Sequence, residues 1–142
     1  MRIREVVQNK GSVVVTVAPT GTVRELVALL HEHNVGALVV SSDGRAVEGI
    51  VSERDVVRHL HTTPGLLDHA VSSIMTESVS TCAPDTTLED LARLMTNSRI
   101  RHVPVVVDAQ LVGIVSIGDV VKSRISELEF ERTTLQDYIT SG

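Results

Sequence analysis

Residues 49–56 are G-I-V-S-E-R-D-V, and residues 113–120 are G-I-V-S-I-G-D-V, the same stretch 64 positions further along the chain. Gly, Ile, Val, Ser, Asp and Val recur in the same order. A second pair repeats at an offset of 65, because residues 18–23 are A-P-T-G-T-V and residues 83–88 are A-P-D-T-T-L. Tandem units of about sixty residues typically form two similar folds packed on each other. The difference between the offsets predicts that the second copy lacks one residue of the loop around Asp43–Val47.

Each copy predicts the order β-α-β-β-α. The strands are short runs rich in valine, a residue that favours strands, and each run is too short for a helix. The predicted strands are Val13–Val17, Ala37–Val40 and Val47–Val51 in the first copy, and Val79–Cys82, Val103–Val107 and Leu111–Val115 in the second. Turns are predicted at Asp43-Gly44 and at residues 108–110. The last helix of each copy is predicted to begin at Ser52 or Ser116.

The first helix of each copy carries an apolar face at helical spacing. Thr22 opens it in the first copy, and Glu25 follows three residues later, which is the pattern of a capping box. Thr87 and Asp90 occupy the same places in the second copy. The apolar positions are Val23, Leu26, Val27 and Leu30, matched by Leu88, Leu91, Ala92 and Met95. These faces are predicted to pack on the strands.

The composition excludes several classes of protein. Hydrophobic residues make up 42% of the 142-residue chain and aromatic residues only 1%, so the core must be aliphatic. The net charge of −5 argues against a nucleic-acid surface. No apolar run approaches the roughly 20 residues that span a bilayer. Met1–Lys10 is charged and predicts a short helix, not a signal peptide. A single cysteine, Cys82, fits a reducing compartment, so we expect a soluble cytoplasmic protein without membrane contact.

The repeat also predicts the domain boundaries. The first unit is expected at residues 1–65 and the second at residues 66–126, joined near Thr62-Thr63-Pro64-Gly65. Ile3–Gln8 is predicted to be a lead-in helix for the first unit, and Val71–Met75 for the second. Residues 127–142 are expected to form a helical tail.

Asp55 and Asp119 end the repeated motif, and their position has two interpretations. Ser52 and Ser116 are good N-cap residues, and an acid three positions later suits the positive end of the helix dipole. The same helix end also offers free N–H groups for a phosphate, while a carboxylate accepts hydrogen bonds from a ribose diol. The residues alone leave both roles open.

The tandem G-I-V-S-x-x-D motif and the R-H-V-P-V run at Arg101–Val105 resemble a pair of CBS domains, the regulatory module named after cystathionine β-synthase. The resemblance covers all of the chain but the tail. The chain is similar in this respect to small stand-alone CBS-pair proteins. It implies an α/β fold of the α+β type, with two pseudo-symmetric units packed through their sheets. It also implies a homodimer, to which the tail with Phe130 and Tyr138 would add contacts.

The implied function is regulatory. An adenine nucleotide (AMP, ADP, ATP or NAD) would bind in the cleft between the units and alter a partner protein that the sequence does not name. The resemblance assigns ribose to the motif Asp and phosphate to the neighbouring Ser, with adenine against the first strand. The candidate nucleotide-binding residues are Thr16, Ala37, Ser52, Arg54, Asp55, Thr81, Arg99, Arg101, His102, Ser116, Gly118 and Asp119.

The two predicted sites are unequal. Arg54 in the first motif is replaced by Gly118 in the second, which offers no side chain. Conversely, Arg99, Arg101 and His102 stand where the first copy has Asn34, Gly36 and Ala37. Arginine forms bidentate hydrogen bonds with phosphate. These arginines are therefore predicted to bind phosphate more than base.

Other classes of function have less support. The pairs His31-x-His33 and His59-x-His61 place their rings on different helix faces, so no metal site is predicted. Cys82 is expected to be a small core residue. No Walker loop, nucleophile elbow or Rossmann fingerprint is present, and no catalytic cofactor is implied. The alternatives are an interaction scaffold in which the motif is only a helix cap, and a nucleotide-hydrolysing enzyme.

Overall fold

The computed structural model describes residues 1–11 and 14–141. Those residues form five α-helices and five β-strands. In chain order they are α1 Ile3–Lys10, β1 Thr16–Val17, α2 Val23–His33, β2 Ala37–Val40, β3 Gly49–Ser52, α3 Glu53–Leu60, α4 Leu88–Ser98, β4 His102–Val107, β5 Gln110–Ser116 and α5 Ile117–Ser141. Two 3-10 turns, Leu66–Asp68 and Val71–Ser73, lie between α3 and α4. Mixed α and β structure in two similar units confirms the predicted fold class.

The strands form two small sheets. In the first, β1 runs parallel to β2 and β2 runs antiparallel to β3. In the second, β4 and β5 form an antiparallel pair. The first predicted strand begins at Val13, which lies outside the described residues. The first strand predicted for the second copy, Val79–Cys82, is not formed as a strand.

Only Cys82 of that segment bridges to the second sheet. Its N–H donates to the carbonyl of Pro104 at 3.0 Å, and its carbonyl accepts from the N–H of Val106 at 2.9 Å. The chain then enters the Ala83-Pro84 turn. Because proline has no N–H to donate, pairing ends there. Of the four residues only Cys82 is buried, so the sequence pattern overestimated both the length of the strand and its burial.

The helix caps confirm the sequence pattern. Thr22 Oγ1 accepts from the N–H of Glu25 at 3.1 Å, and the carboxylate of Glu25 accepts from the N–H of Thr22 at 3.2 Å. At the start of α4, Thr87 Oγ1 accepts from the N–H of Asp90 at 3.1 Å. The faces below are buried, with Val23, Leu26, Leu88 and Leu91 at most 3% exposed. Val27 is the exception: it was predicted to belong to the face, and it is 40% exposed.

The predicted one-residue deletion lies between the paired strands. In the first unit, Ser41–Glu48 connects β2 to β3, and Asp43 accepts hydrogen bonds from Arg45 and Ala46. In the second, Asp108 and Ala109 make the turn with φ of 50° and 63°. Positive φ at both central residues is the geometry of a tight two-residue hairpin, so longer strands take the place of the loop.

Each lead-in segment packs in the core of the other repeat. Ile3 and Val6 of α1 are buried among residues of the second copy, while Val71 and Ile74 are buried among residues of the first. The N–H of Ile3 donates to Thr86, as the N–H of Val71 donates to Gly21. The division of the chain at residue 65 remains a prediction, but the packing ties the repeats together across that point.

Helix α5 includes residues 127–141 of the predicted tail and is continuous from Ile117 to Ser141, while residue 142 lies outside the described residues. Glu127 forms an ion pair with the N-terminal amine at 3.3 Å. None of the helices within the described ranges combines the length and the hydropathy that crossing a membrane requires.

Candidate functional site

Both repeated motifs form the same helix cap. Ser52 Oγ accepts from the N–H of Asp55 at 3.3 Å, and Asp55 Oδ2 accepts from the N–H of Ser52 at 2.8 Å. Ser116 and Asp119 repeat this arrangement at the start of α5, with distances of 3.2 Å and 2.8 Å. The repeat of Ser and Asp therefore has a local structural cause in each copy. In both caps the carboxylate accepts these hydrogen bonds through Oδ2.

The second cap holds an additional cation. Lys10 Nζ, at the end of α1, donates to Asp119 Oδ2 at 2.7 Å and to the carbonyl of Ile114 at 2.8 Å. Burial raises the pKa of Asp119, but the hydrogen bonds from Lys10 and Ser116 outweigh that effect and hold the pKa below its usual value. A ligand hydroxyl at Asp119 would have to compete with a bound ammonium group.

The first cap opens on a larger space. This first cleft has a volume of about 630 Å³. Its basic side chains are Arg54 and Arg58 of α3 and Arg99 and Arg101 of the segment before β4. The other lining residues are Gly36, Ala37, Ile50, Ser52, Glu53, Asp55, Val57, Thr76, Ser78, Val79, Ser80, Ile100 and His102. Both repeats therefore contribute to one cleft.

The four arginines of the first cleft are exposed, and within the described part of the chain none of them makes an ion pair. Together the four guanidinium groups make the first cleft, beside the Asp55 cap, positive. An anion with several oxygens is the ligand type that such groups bind best.

The second cleft differs in size and charge. Its volume is about 240 Å³, and its lining is mostly aliphatic, with Lys10 and His33 as basic groups. Small-molecule pockets in proteins are about 300–1,000 Å³. The first cleft falls within that range and the second below it.

The lead-in segments explain why only one cleft holds a lysine. The N–H of Leu88 donates to the carbonyl of Met1, as the N–H of Val23 donates to the carbonyl of His69. The lead-ins thus correspond at an offset of 68, which aligns Lys10 with Ser78. The first cleft has a short hydroxyl where the second has an ammonium group on a long stem.

Arg99 lies in a left-handed conformation with φ of 55°, immediately after α4. Asn34 occupies the same place after α2, with φ of 52°. Asparagine adopts this conformation readily, while a long side chain pays a steric cost of about 1–2 kcal/mol. Such strain concentrates at ligand-binding positions, and here it brings an arginine to the cleft.

Replacing Arg99 with Asn is therefore expected to raise the free energy of unfolding by about 0.5–1 kcal/mol while weakening the binding of anions. Urea unfolding and ligand titration of one preparation measure the two effects. The reverse change, Asn34→Arg, is the matched control and should lower stability by a similar amount. A less stable Arg99→Asn variant would contradict this account.

His102 lies at the wall of the first cleft. Burial lowers its pKa, and the charge of Lys10 lowers it further, against the opposing charges of Glu53 and Asp119. The imidazole is therefore neutral at pH 7. The positive charge of the cleft comes from the arginines.

The structure brings together seven of the twelve candidate residues at the first cleft: Ala37, Ser52, Arg54, Asp55, Arg99, Arg101 and His102. Ala37 also lines the second cleft. Thr16 lies in β1, where it pairs with Val39 of β2, and Thr81 is exposed. Neither of these two threonines lines either cleft. Ser116, Gly118 and Asp119 lie at the second cap.

Sequence reasoning missed several residues. Arg58 could have been predicted from the sequence, because it follows Arg54 by four positions and therefore shares its helix face. Lys10, Ser78 and Ser80 could not be predicted in this way, because each lead-in segment packs against the other repeat and not against its own. Among residues 1–11 and 14–141 no three His, Cys, Asp or Glu side chains cluster as a metal site would require.

The chain matches the family described as CBS domain over residues 4–62 and 71–126. It is 41% identical over 127 residues to the CBS domain-containing protein CBSX3, mitochondrial, of Arabidopsis thaliana. That match covers 85% of this chain and 61% of the plant protein, so the chain spans less than two thirds of that relative.

Solved structures share the fold. A CBS-domain containing protein from Agrobacterium tumefaciens superposes with a TM-score of 0.82 at 41% identity, covering 87% of this chain and 99% of its own. The CBS domain pair of protein MJ0100, in complex with 5′-methylthioadenosine and S-adenosyl-L-methionine, has a TM-score of 0.77 at 24% identity, covering 86% of this chain and 98% of its own. At that identity the second comparison concerns the fold alone.

Proposed function

Because the chain belongs to the CBS-domain family, we propose that it is a regulatory module that binds one adenine nucleotide in the first cleft and thereby modulates a partner protein. The observation that carries this proposal is the set of four arginines around the Asp55 cap, in a cleft of about 630 Å³, which form no ion pair with any described residue. The second cleft is smaller, and Lys10, which lines it, is bound to the carboxylate of Asp119. One ligand per chain is the expected stoichiometry.

Each part of a nucleotide has chemically suitable residues at the first cleft. Arg54, Arg99 and Arg101 provide bidentate donors for phosphate oxygens. Asp55 provides a carboxylate oxygen for the ribose diol. Apolar side chains for an adenine ring come from both repeats: Ile50, Val57, Val79 and Ile100. Pockets of this kind bind ligands through an apolar lining and a few polar groups that orient the ligand.

The ligand class follows from charge. The adenosyl compounds named with protein MJ0100 lack phosphate, and one of them carries a sulfonium cation. Arginines repel a cation and attract a phosphate. We therefore expect AMP, ADP, ATP or NAD to bind here more tightly than S-adenosylmethionine.

A regulatory effect would arise because the ligand touches both repeats. Asp55 belongs to the first copy, and Ser78 and Arg101 belong to the second part of the chain. A bound nucleotide would therefore favour arrangements in which the two sides are close. The nucleotide affects the partner protein only as far as it binds one of the two arrangements more tightly than the other. No catalytic cofactor and no turnover are part of the proposal.

Calorimetric titration of the purified chain with AMP, ADP, ATP, NAD, adenosine and S-adenosylmethionine tests the proposed function. We expect saturable binding of the phosphate-bearing ligands at one per chain, and a higher melting temperature in their presence, because a ligand that binds only the folded state stabilises it. Absence of binding by every adenine nucleotide at millimolar concentration would favour an interaction scaffold in which the motifs serve only as caps.

A further inference from the structure

The two clefts differ in whether they reach their helix caps. The lining of the first cleft includes Ile50 and continues to Asp55 of the first cap. The lining of the second cleft includes Ile114, which corresponds to Ile50 at the offset of 64, but it does not include Asp119. The repeats therefore share the same cap, and only the first cap belongs to the wall of its cleft.

The side chain of Lys10 lies between the second cleft and its cap. Lys10 lines that cleft, and its Nζ donates both to the carbonyl of Ile114 and to Asp119 Oδ2, at 2.8 Å and 2.7 Å. The ammonium group therefore bridges a residue of the cleft wall and the carboxylate of the cap. At the equivalent place the first cleft has Ser78, which has a much shorter side chain.

A ribose does not readily replace this contact. Ribose hydroxyls are neutral donors, whereas the ammonium group of Lys10 adds the attraction of opposite charges, which is stronger where the two groups are partly withdrawn from water. The side chain of Asp119 is 21% exposed and that of Lys10 is 36% exposed. A ribose bound at Asp119 would also leave the ammonium group of Lys10 without its carboxylate, which is unfavourable for a partly buried charge.

We propose that Lys10 is the specificity-determining residue that closes the second cleft to nucleosides, and that without this cation the cleft becomes a second site, for a nucleoside without phosphate. Three of the four arginines of the first cleft correspond in the second to the uncharged residues Gly118, Asn34 and Gly36. Only Arg58 corresponds to a cation, Lys122. A phosphate would therefore add little affinity there. The inference rests on the proposed function in taking ribose as the group that a capping aspartate binds.

The variant Lys10→Ser, with the residue that the first cleft has at this place, tests the proposal. Adenosine is the probe; the backbone amide resonances of Ser116 and Asp119 report on the second cap, and those of Ser52 and Asp55 on the first. In the unaltered chain adenosine should leave the resonances of the second cap unchanged. In Lys10→Ser they should shift saturably, with an affinity at least about tenfold higher than in the unaltered chain. Equilibrium dialysis should then show one more adenosine bound per chain. Lys10→Ala provides the same test with a better helix former at the end of α1.

Three further variants separate the effect of this cation from other causes. Lys10→Arg retains a cation and should keep the second cleft closed. Arg4→Ser removes a cation from the same helix, where Arg4 pairs with Asp85 and lines neither cleft, so adenosine binding should not change. Lys10→Ser combined with Asp119→Ala lacks the carboxylate for ribose and should lose the added binding. Circular dichroism of each variant checks that the fold is retained.

Three results would overturn this role of Lys10. One is an affinity of the second cap for adenosine that is no higher in Lys10→Ser than in the unaltered chain. Another is added binding that survives Asp119→Ala, since the ligand would then lie elsewhere. The third is a shift of the Asp119 resonance by AMP in the unaltered chain, because Lys10 would then admit a nucleotide. Failure of AMP to shift the resonance of Asp55 would instead contradict the proposed function, because the two caps are observed separately.

Discussion

Replacing Asp55 with alanine is expected to weaken AMP binding by about ten- to a hundred-fold, while replacing Asp119 should change it less than about twofold. Each carboxylate accepts from its own capping serine through Oδ2. Asp55 lines the large cleft. Hydrogen bonds from a ribose diol to a carboxylate are charge-assisted, and losing them costs about 1.5–3 kcal/mol. Asp119 is already bound to Lys10.

Measuring the free energy of unfolding distinguishes ribose binding by Asp55 from its role as a helix cap. Either alanine variant removes a capping acid and should lower the free energy of unfolding by about 1 kcal/mol. The two variants therefore match in stability and differ in affinity. Asp55→Asn retains a hydrogen-bond acceptor at the cap and loses the charge, so it should keep most of the stability and still bind AMP weakly. Calorimetric titration and thermal melting measure both quantities on the same samples.

Equal losses of AMP affinity at Asp55 and Asp119 would place a ligand at each cap and contradict the assignment to the first cleft. An unchanged affinity in Asp55→Ala would remove the ribose contact from the proposal. In that case the cleft could still bind phosphate through its arginines, which the next comparison tests separately.

Replacing Arg101 with alanine is expected to lower the affinity for AMP by about ten- to a hundred-fold and to leave the affinity for adenosine nearly unchanged. Arg101 lines the first cleft and is exposed. Its guanidinium group matches phosphate oxygens, and a hydrogen bond to a charged group contributes about 1.5–3 kcal/mol. Adenosine lacks the phosphate, so its affinity does not depend on the contact between Arg101 and phosphate.

Arg93 provides a matched control. It lies on α4, where it pairs with Glu89 at 2.8 Å, and it does not line the first cleft. Arg93→Ala removes the same charge and should leave both affinities unchanged. Salt should reduce AMP affinity in the unaltered chain more than in the Arg101 variant, because exposed charges are screened. Equal losses for AMP and adenosine in Arg101→Ala would show that its role is not phosphate binding.

The repeat made much of this protein predictable from its residues. Both G-I-V-S motifs end a strand and begin a helix as expected, because Ser52 and Asp55 satisfy backbone groups only three residues apart. The apolar faces of α2 and α4 and the caps at Thr22 and Thr87 are equally local. A pattern within one turn or one strand carries its own physical cause, so it can be recognised without the rest of the molecule.

The short-range patterns failed where tertiary contacts compete with them. Val27 fits the helical spacing of a buried face, yet the packing around α2 leaves it 40% exposed. The segment before Ala83 has the composition of a strand, yet only Cys82 reaches β4. Composition reports a preference for burial, but the neighbouring elements determine which positions are covered.

The sequence by itself determined that there are two units, how each begins its helices, and which residues carry the charge of a candidate site. Only the tertiary structure decided that the two caps differ. Lys10 meets Asp119 across 109 positions of sequence because α1 packs in the core of the distant repeat. Ser78 takes the matching place at the first cleft. Contacts of that range depend on how the repeats exchange their lead-in segments, and a local pattern holds no information about that exchange.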